Sequence, residues 1–173
     1  MFYDVHAHIF NNADVPDGYL GFRLSNTEKI LKVSSKIFSS ITSGTTSFLD
    51  RISSFEGHLL MNRGENYLSH IASLPEDSCI CLLTLDMSTV KGGGQIDYGF
   101  QLENALELRR IYGRDKLKVF ANILTTNHNY HFLINCLENN EFDGIKIYPP
   151  LGSIMDDKLF NICSSNGIPI TAH

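Results

Sequence analysis

The sequence lacks the features that mark membrane, secreted and nucleic-acid-binding proteins. Its 173 residues contain no apolar run near the roughly 20 residues that a membrane-spanning helix requires. Met1 leads directly into an acid-containing, strand-like segment and not into a secretory signal. A net charge of −5 argues against nucleic acid or an anionic membrane as a partner. These absences predict a cytoplasmic protein.

Cysteine is also scarce, with four in the chain, and its spacing excludes the common zinc-binding motifs. Cys79 and Cys81 form C-x-C in the apolar run CICLLTLDM and lack the C-x₂-C spacing of zinc fingers. Free cysteine behaves as a small hydrophobic residue, and disulfides are rare in the cytosol. We therefore expect buried, reduced thiols. The GGG at 92–94 lacks the Lys-Ser/Thr of a phosphate loop and is interpreted as a mobile loop.

Composition and pattern favour a single α/β domain over residues 1–173. The chain is 43% hydrophobic and 19% charged, which is ordinary globular composition. Strand-like and helix-like segments alternate five times, which is typical of βαβ units and a parallel sheet. The predicted strands are 2–5, 79–87, 118–124, 144–150 and 168–173, and the predicted helices are 101–113, 130–140 and 156–167, with an interrupted helical region from about 25 to 72. We expect strand order 1-2-3-4-5 in a curved sheet with helices outside.

The segment DVHAHIF carries two histidines one residue apart. Side chains at i and i+2 of a strand point to the same side, so His6 and His8 can direct both imidazoles at one metal ion. Sites in parallel α/β folds lie at the carboxyl ends of the strands, where Lys146, Tyr148 and His173 also fall. Each residue alone has a plainer interpretation as a solvated histidine or a surface lysine. Their convergence favours a metal site.

These segments resemble the amidohydrolase superfamily. DVHAHIF, FDGIKIYPPLG and IPITAH look most like its amidohydrolase-related branch of metal-dependent hydrolases and decarboxylases. The resemblance implies a (β/α)₈ barrel of TIM type in which His6, His8 and His173 bind a divalent metal, most often zinc. It also implies that Lys146 is a carbamylated bridge if two ions are bound, and need not be a ligand if there is one. Tyr148 is a candidate substrate contact.

The chain departs from the family pattern by ending within the fifth predicted strand. The family's histidine after strand six and its proton-accepting aspartate after strand eight have no counterpart, so the catalytic residue stays unknown. A full barrel has about 250 residues. We expect either a fragment of a longer protein or a barrel completed by another polypeptide, and exposed sheet edges make a homo-oligomer possible.

Two functions stay open from the sequence. The first is metal-dependent hydrolysis of a C–N, C–O or related bond in a small molecule by a metal-activated water, with this chain inactive by itself. The second is a non-enzymatic metal-binding or oligomerising half-barrel. The substrate, the number of ions and the choice among hydrolysis, deamination and decarboxylation are not indicated. Asp4 is a candidate acceptor that orients the strand-one histidines. The other histidines, His58, His70, His128 and His131, are expected to be structural or exposed.

Overall fold

The computed structural model describes residues 2–9, 11–16, 62–90, 97–125 and 129–172. Five strands form one sheet of order β1-β2-β3-β4-β5, and every neighbouring pair is parallel. The sheet curls into a half-barrel with helices between the strands. The prediction of sequential parallel strands is therefore confirmed, while the TIM-type barrel stays a proposal.

Strands and helices alternate along the described chain. The strands are β1 (Phe2–Ala7), β2 (Ser78–Leu83), β3 (Leu117–Asn122), β4 (Gly144–Ile147) and β5 (Ile170–Ala172). The helices are numbered here as α1 (Arg63–Ile71), α2 (Tyr98–Tyr112), α3 (Tyr130–Glu138) and α4 (Asp157–Asn166), with 3₁₀ turns at Asn12–Asp14 and Pro149–Leu151. No described helix has the length and apolar character needed to cross a bilayer.

The main core lies between the sheet and its helices. Alternate residues of the central strand β3, Leu117, Val119 and Ala121, are fully buried in it. They meet apolar side chains of α2 and α3 such as Leu102 and Leu133. Because side chains alternate along a strand, the intervening residues point to the opposite, concave face of the sheet.

The two outer strands differ from the three inner ones. β1 pairs with β2 alone and β5 with β4 alone among the described strands. Phe2, Tyr3 and Val5 of β1 are 49%, 51% and 67% exposed, and Ile170 of β5 is 42% exposed. The sheet therefore ends in two edges that carry large exposed hydrophobic side chains.

Strands β2 and β4 end four and three residues before their predicted ends. β2 ends at Leu83, although the apolar and fully buried run continues to Met87. Its ladder with β3 ends where Leu83 meets Phe120. β4 ends at Ile147 because Pro149 and the residue after it begin a 3₁₀ turn, and proline has no amide hydrogen to donate to a ladder.

Candidate functional site

The two histidines of the H-x-H motif converge at the carboxyl end of β1. The Nε2 atoms of His6 and His8 are 3.1 Å apart, and the ring centroids are 5.0 Å apart. Both residues are exposed. In tetrahedral geometry, two nitrogens each about 2.0–2.1 Å from one zinc ion lie roughly 3.3–3.4 Å apart. The observed separation is within a few tenths of an ångström of that value.

A backbone contact orients the His8 ring. Its Nδ1 lies 2.8 Å from the carbonyl oxygen of Leu83, at the end of β2. A carbonyl only accepts hydrogen bonds, so Nδ1 carries the hydrogen and the neutral ring presents a lone pair at Nε2. A histidine that ligates a metal commonly donates its other ring nitrogen to a carbonyl in this manner. His8 thus has the tautomer and direction of a ligand, and its Nε2 lies at hydrogen-bonding distance from His6 Nε2.

Lys146 lies on the concave face of β4 and is 1% exposed. Its neighbours Ile145 and Ile147 pack into the main core on the other face. Burial lowers the pKa of Lys146 to about 8, because a charged ammonium loses its hydration there. Its Nζ is 5.0 Å from the centre of the Tyr148 ring, and it has no ion pair with any described residue. The lysine is therefore buried beside an aromatic face.

Tyr148 itself is half-buried. It packs against a second, smaller cluster of Val15, Leu85 and Met87 at the carboxyl edge of the sheet. Its position beside Lys146 agrees with the expectation that both lie at the end of β4. The ring covers the lysine and leaves only part of itself open to solvent.

A buried asparagine that sequence reasoning missed joins three strand ends. Asn122 is fully buried at the end of β3, and its Nδ2 donates to the Lys146 carbonyl oxygen at 3.1 Å and to Ser153 Oγ at 2.7 Å. Its Oδ1 accepts from the amide of Asp86, at 3.1 Å. Asp86 is fully buried as well, and its carboxylate accepts from the Ser88 amide. Applying the strand-end rule to LTLDM and VFAN would have singled out Asp86 and Asn122.

The third predicted metal ligand, His173, lies outside the described residues. Within the described part of the chain, no group of three or more His, Cys, Asp or Glu side chains is placed to hold one ion. The described residues therefore bring together two of the predicted ligands, His6 and His8. Lys146 and Tyr148 form a separate pair at the end of β4.

Asp4 accepts a hydrogen bond from the His6 backbone amide. Its Oδ1 accepts from the His6 amide at 3.2 Å, and its Oδ2 is 2.7 Å from His70 Nε2. Its partial burial opposes the charged form, but the hydrogen bonds from His70 and His6 outweigh this, and the pKa of Asp4 lies below its ordinary value. The described hydrogen bonds of Asp4 thus join the strand backbone to His70, and an orienting effect on the histidine rings stays a prediction.

Other predictions have mixed outcomes. The four cysteines are buried and unpaired, as expected, and burial raises the pKa of Cys79 and Cys81. His131 is exposed. The predictions for His58, His128 and the GGG at 92–94 fall outside the described residues.

A cleft of about 280 Å³, counting the solvent space at its mouth, borders the histidine pair through Leu83 and Ile9. It is lined by Ile9, Arg63, Leu82, Leu83, Thr84, Gln101, Ala105 and Leu108. Most of this lining is apolar, and Arg63 is ion-paired with the buried Asp14. The cleft is therefore a packing gap on the helix side of the sheet.

Comparison of the chain with protein-family models, with curated proteins and with solved structures finds no match.

Proposed function

We propose that this chain supplies the metal-binding part of a metal-dependent hydrolase of the amidohydrolase type. The observation that carries the proposal is the His6–His8 pair, whose Nε2 atoms lie 3.1 Å apart while His8 Nδ1 is held by the Leu83 carbonyl. The Leu83 contact matches the way in which metal-ligating histidines are held through their other ring nitrogen. The reaction class is attack of water on a C–N, C–O or related bond of a small molecule.

The residues fit a divalent metal, with zinc favoured. His6 and His8 would hold it through Nε2 as neutral imidazoles. His173 is the proposed third ligand, and Lys146 is a further candidate that would need carbamylation, because an ammonium has no lone pair to donate. When bound, such an ion lowers the pKa of water toward about 7 and polarises the substrate oxygen.

The protein residues have separate proposed tasks. The Leu83 carbonyl keeps a proton on His8 Nδ1, which makes Nε2 the ligating nitrogen in this proposal. Tyr148 screens Lys146 from solvent and is the proposed substrate contact. A base that would take the proton from water is not among the residues assigned here, so we expect no turnover from this chain by itself. Cytoplasmic location and a small-molecule substrate are part of the same proposal.

The alternative, a non-enzymatic metal-binding or oligomerising half-barrel, is favoured by one observation. Large hydrophobic side chains are exposed on both outer strands, Phe2, Tyr3 and Val5 on β1 and Ile170 on β5. Such edges can pair with a second copy. Light scattering across a range of protein concentrations tests this, and a strictly monomeric chain would contradict it.

The central experiment is a zinc titration by calorimetry on metal-free protein. Wild type should bind one or two ions, and His6→Ala/His8→Ala protein should bind at least about 100-fold more weakly, because two ligands are gone. His131→Ala is the matched control, since it removes an exposed histidine from α3. Equal affinities for wild type and the double variant would overturn the metal site.

A further inference from the structure

Strand β1 contains an irregularity immediately before the histidine pair. Asp4 pairs with Ile80 of β2, but Ala7 pairs with Leu82, so three steps along β1 match two steps along β2. One extra residue is thus inserted into β1 between these positions, as in a β-bulge. Bulges are frequent beside functional sites, where they redirect a side chain.

The extra residue decides which face of the sheet the histidines occupy. Residues paired across a parallel ladder point to the same face, and Ile80 and Leu82 both pack into the core beneath the helices. In a regular strand, His6 would pair with Leu82 and point into that core. The insertion places Ala7 there instead, and His8 follows on the opposite face. A one-residue slip would reverse this alternation.

Two side chains hold the irregular segment in place. Asp4 accepts the His6 amide hydrogen at one carboxylate oxygen, and its other oxygen is 2.7 Å from His70 Nε2. His70 lies in the last turn of α1, so the contact ties the bulge to a helix 66 residues away in sequence. The helix is itself closed at its start by reciprocal capping contacts of Asn62 and Glu65.

We propose that Asp4 and His70 are positioning residues that fix the register of β1 and thereby turn His6 and His8 to the concave face. The inference rests on the proposed metal site only for its functional consequence. Asp4 bridges the bulge amide and the helix, and His70 keeps the carboxylate from rotating away. In this proposal neither residue is a metal ligand.

The first test needs no metal. In wild-type protein, NMR should give a contact between the His6 and His8 rings and slow exchange of the His6 amide. Asp4→Ala and His70→Ala should each weaken the ring contact and speed the exchange of that amide about tenfold or more. Asp4→Asn should restore both signals, because its amide side chain retains an acceptor for His6 and can donate to the His70 ring. His131→Ala should change neither.

The second test is zinc affinity of the same folded proteins. Asp4→Ala and His70→Ala should bind about 10- to 100-fold more weakly than wild type, the usual cost of losing an outer contact to a ligand, and Asp4→Asn should bind within a few fold of wild type. His70 is on a half-exposed helix surface, so His70→Ala should fold even if Asp4→Ala does not.

The outcomes distinguish a failure of the proposed function from a failure of the positioning role. If wild type binds no zinc, the proposed function fails, and the NMR signals still decide the positioning role. If His70→Ala keeps the His6–His8 contact and the slow His6 amide, the positioning role is refuted whatever the zinc affinity.

Discussion

β1 and β4 each deliver candidate site residues, and they do so under opposite conditions. Four of the six residues of β1 are exposed, whereas all four residues of β4 are buried. The histidines of β1 are oriented by a few polar contacts at an edge, but Lys146 is held by dense packing. The difference teaches that the candidate residues fall into two parts, one oriented by local hydrogen bonds and one held by burial. The two parts should respond differently to substitution and to pH.

The largest expected loss of stability comes from a substitution at the buried end of β3. Asn122→Ala would leave the Asp86 amide, the Lys146 carbonyl and the Ser153 hydroxyl without their partner. An unsatisfied buried polar group costs about 1–3 kcal/mol, so we expect the free energy of unfolding to fall by about 3 kcal/mol or more. Urea denaturation measures the change.

Asn139→Ala is the matched control. The side chain of this exposed asparagine, just after α3, donates to Asn135, and its loss should cost under about 1 kcal/mol. Similar losses for the two variants would show that the Asn122 contacts do not hold the strand ends together.

The next largest expected effect is a gain in stability. Lys146→Met should raise the free energy of unfolding at pH 7 by about 2 kcal/mol, because the wild-type protein must bury a charged amine whose ordinary pKa is 10.5. In wild type the folded pKa of about 8 lies below that ordinary value. Stability therefore rises with pH from about 8 to 10.5, since only the unfolded chain still binds the proton there.

Denaturation of both proteins across pH 7 to 10.5 checks this, in buffer free of carbon dioxide so that the amine stays unmodified. The gap between wild type and Lys146→Met should narrow as the pH rises. Lys158→Met, on the exposed surface of α4, should show no such trend. A gap that is constant with pH would mean that the lysine is not deprotonated in the fold.

The smallest expected losses of stability come from substitutions of His6 and His8 at the sheet edge. His8→Ala removes the hydrogen bond to the Leu83 carbonyl and should cost about 1 kcal/mol in metal-free protein. His6→Ala removes an exposed ring that contacts His8, and should cost under about 0.5 kcal/mol. Unfolding in the presence of a chelator measures both. A larger loss for His6→Ala than for His8→Ala would reverse this ranking and show that His6 supports the strand.

Much of the fold follows from the sequence, because alternation of apolar strands with amphipathic helices is a local signal. That signal identified β3 and β4 to within a few residues. The same signal placed the predicted end of β2 beyond Leu83, because buried residues continue to Met87 after the pairing with β3 has ended. The apolar pattern of a segment predicts that the segment is buried. Where its backbone pairing ends depends on the neighbouring strand.

The site was predictable to a smaller degree. The two-residue periodicity of a strand correctly predicted that His6 and His8 lie on one side. It could not reveal the bulge, because a bulge is defined by the pairing of β1 with β2. The role of His70 depends on a contact across 66 residues. Asn122 was overlooked for a similar reason, since its partners lie 24 to 36 residues away. Sequence therefore indicated the chemical groups, and long-range contacts determined their orientation.

The order β1-β2-β3-β4-β5 has a consequence for synthesis. Each strand from β2 onward pairs with the strand that precedes it in the chain. When a strand emerges from the ribosome, its partner strand has therefore already been synthesised. Parallel pairing usually folds slowly because distant segments must meet. Here the half-barrel can be assembled stepwise as the chain is translated, with β1 the strand that waits longest for its partner.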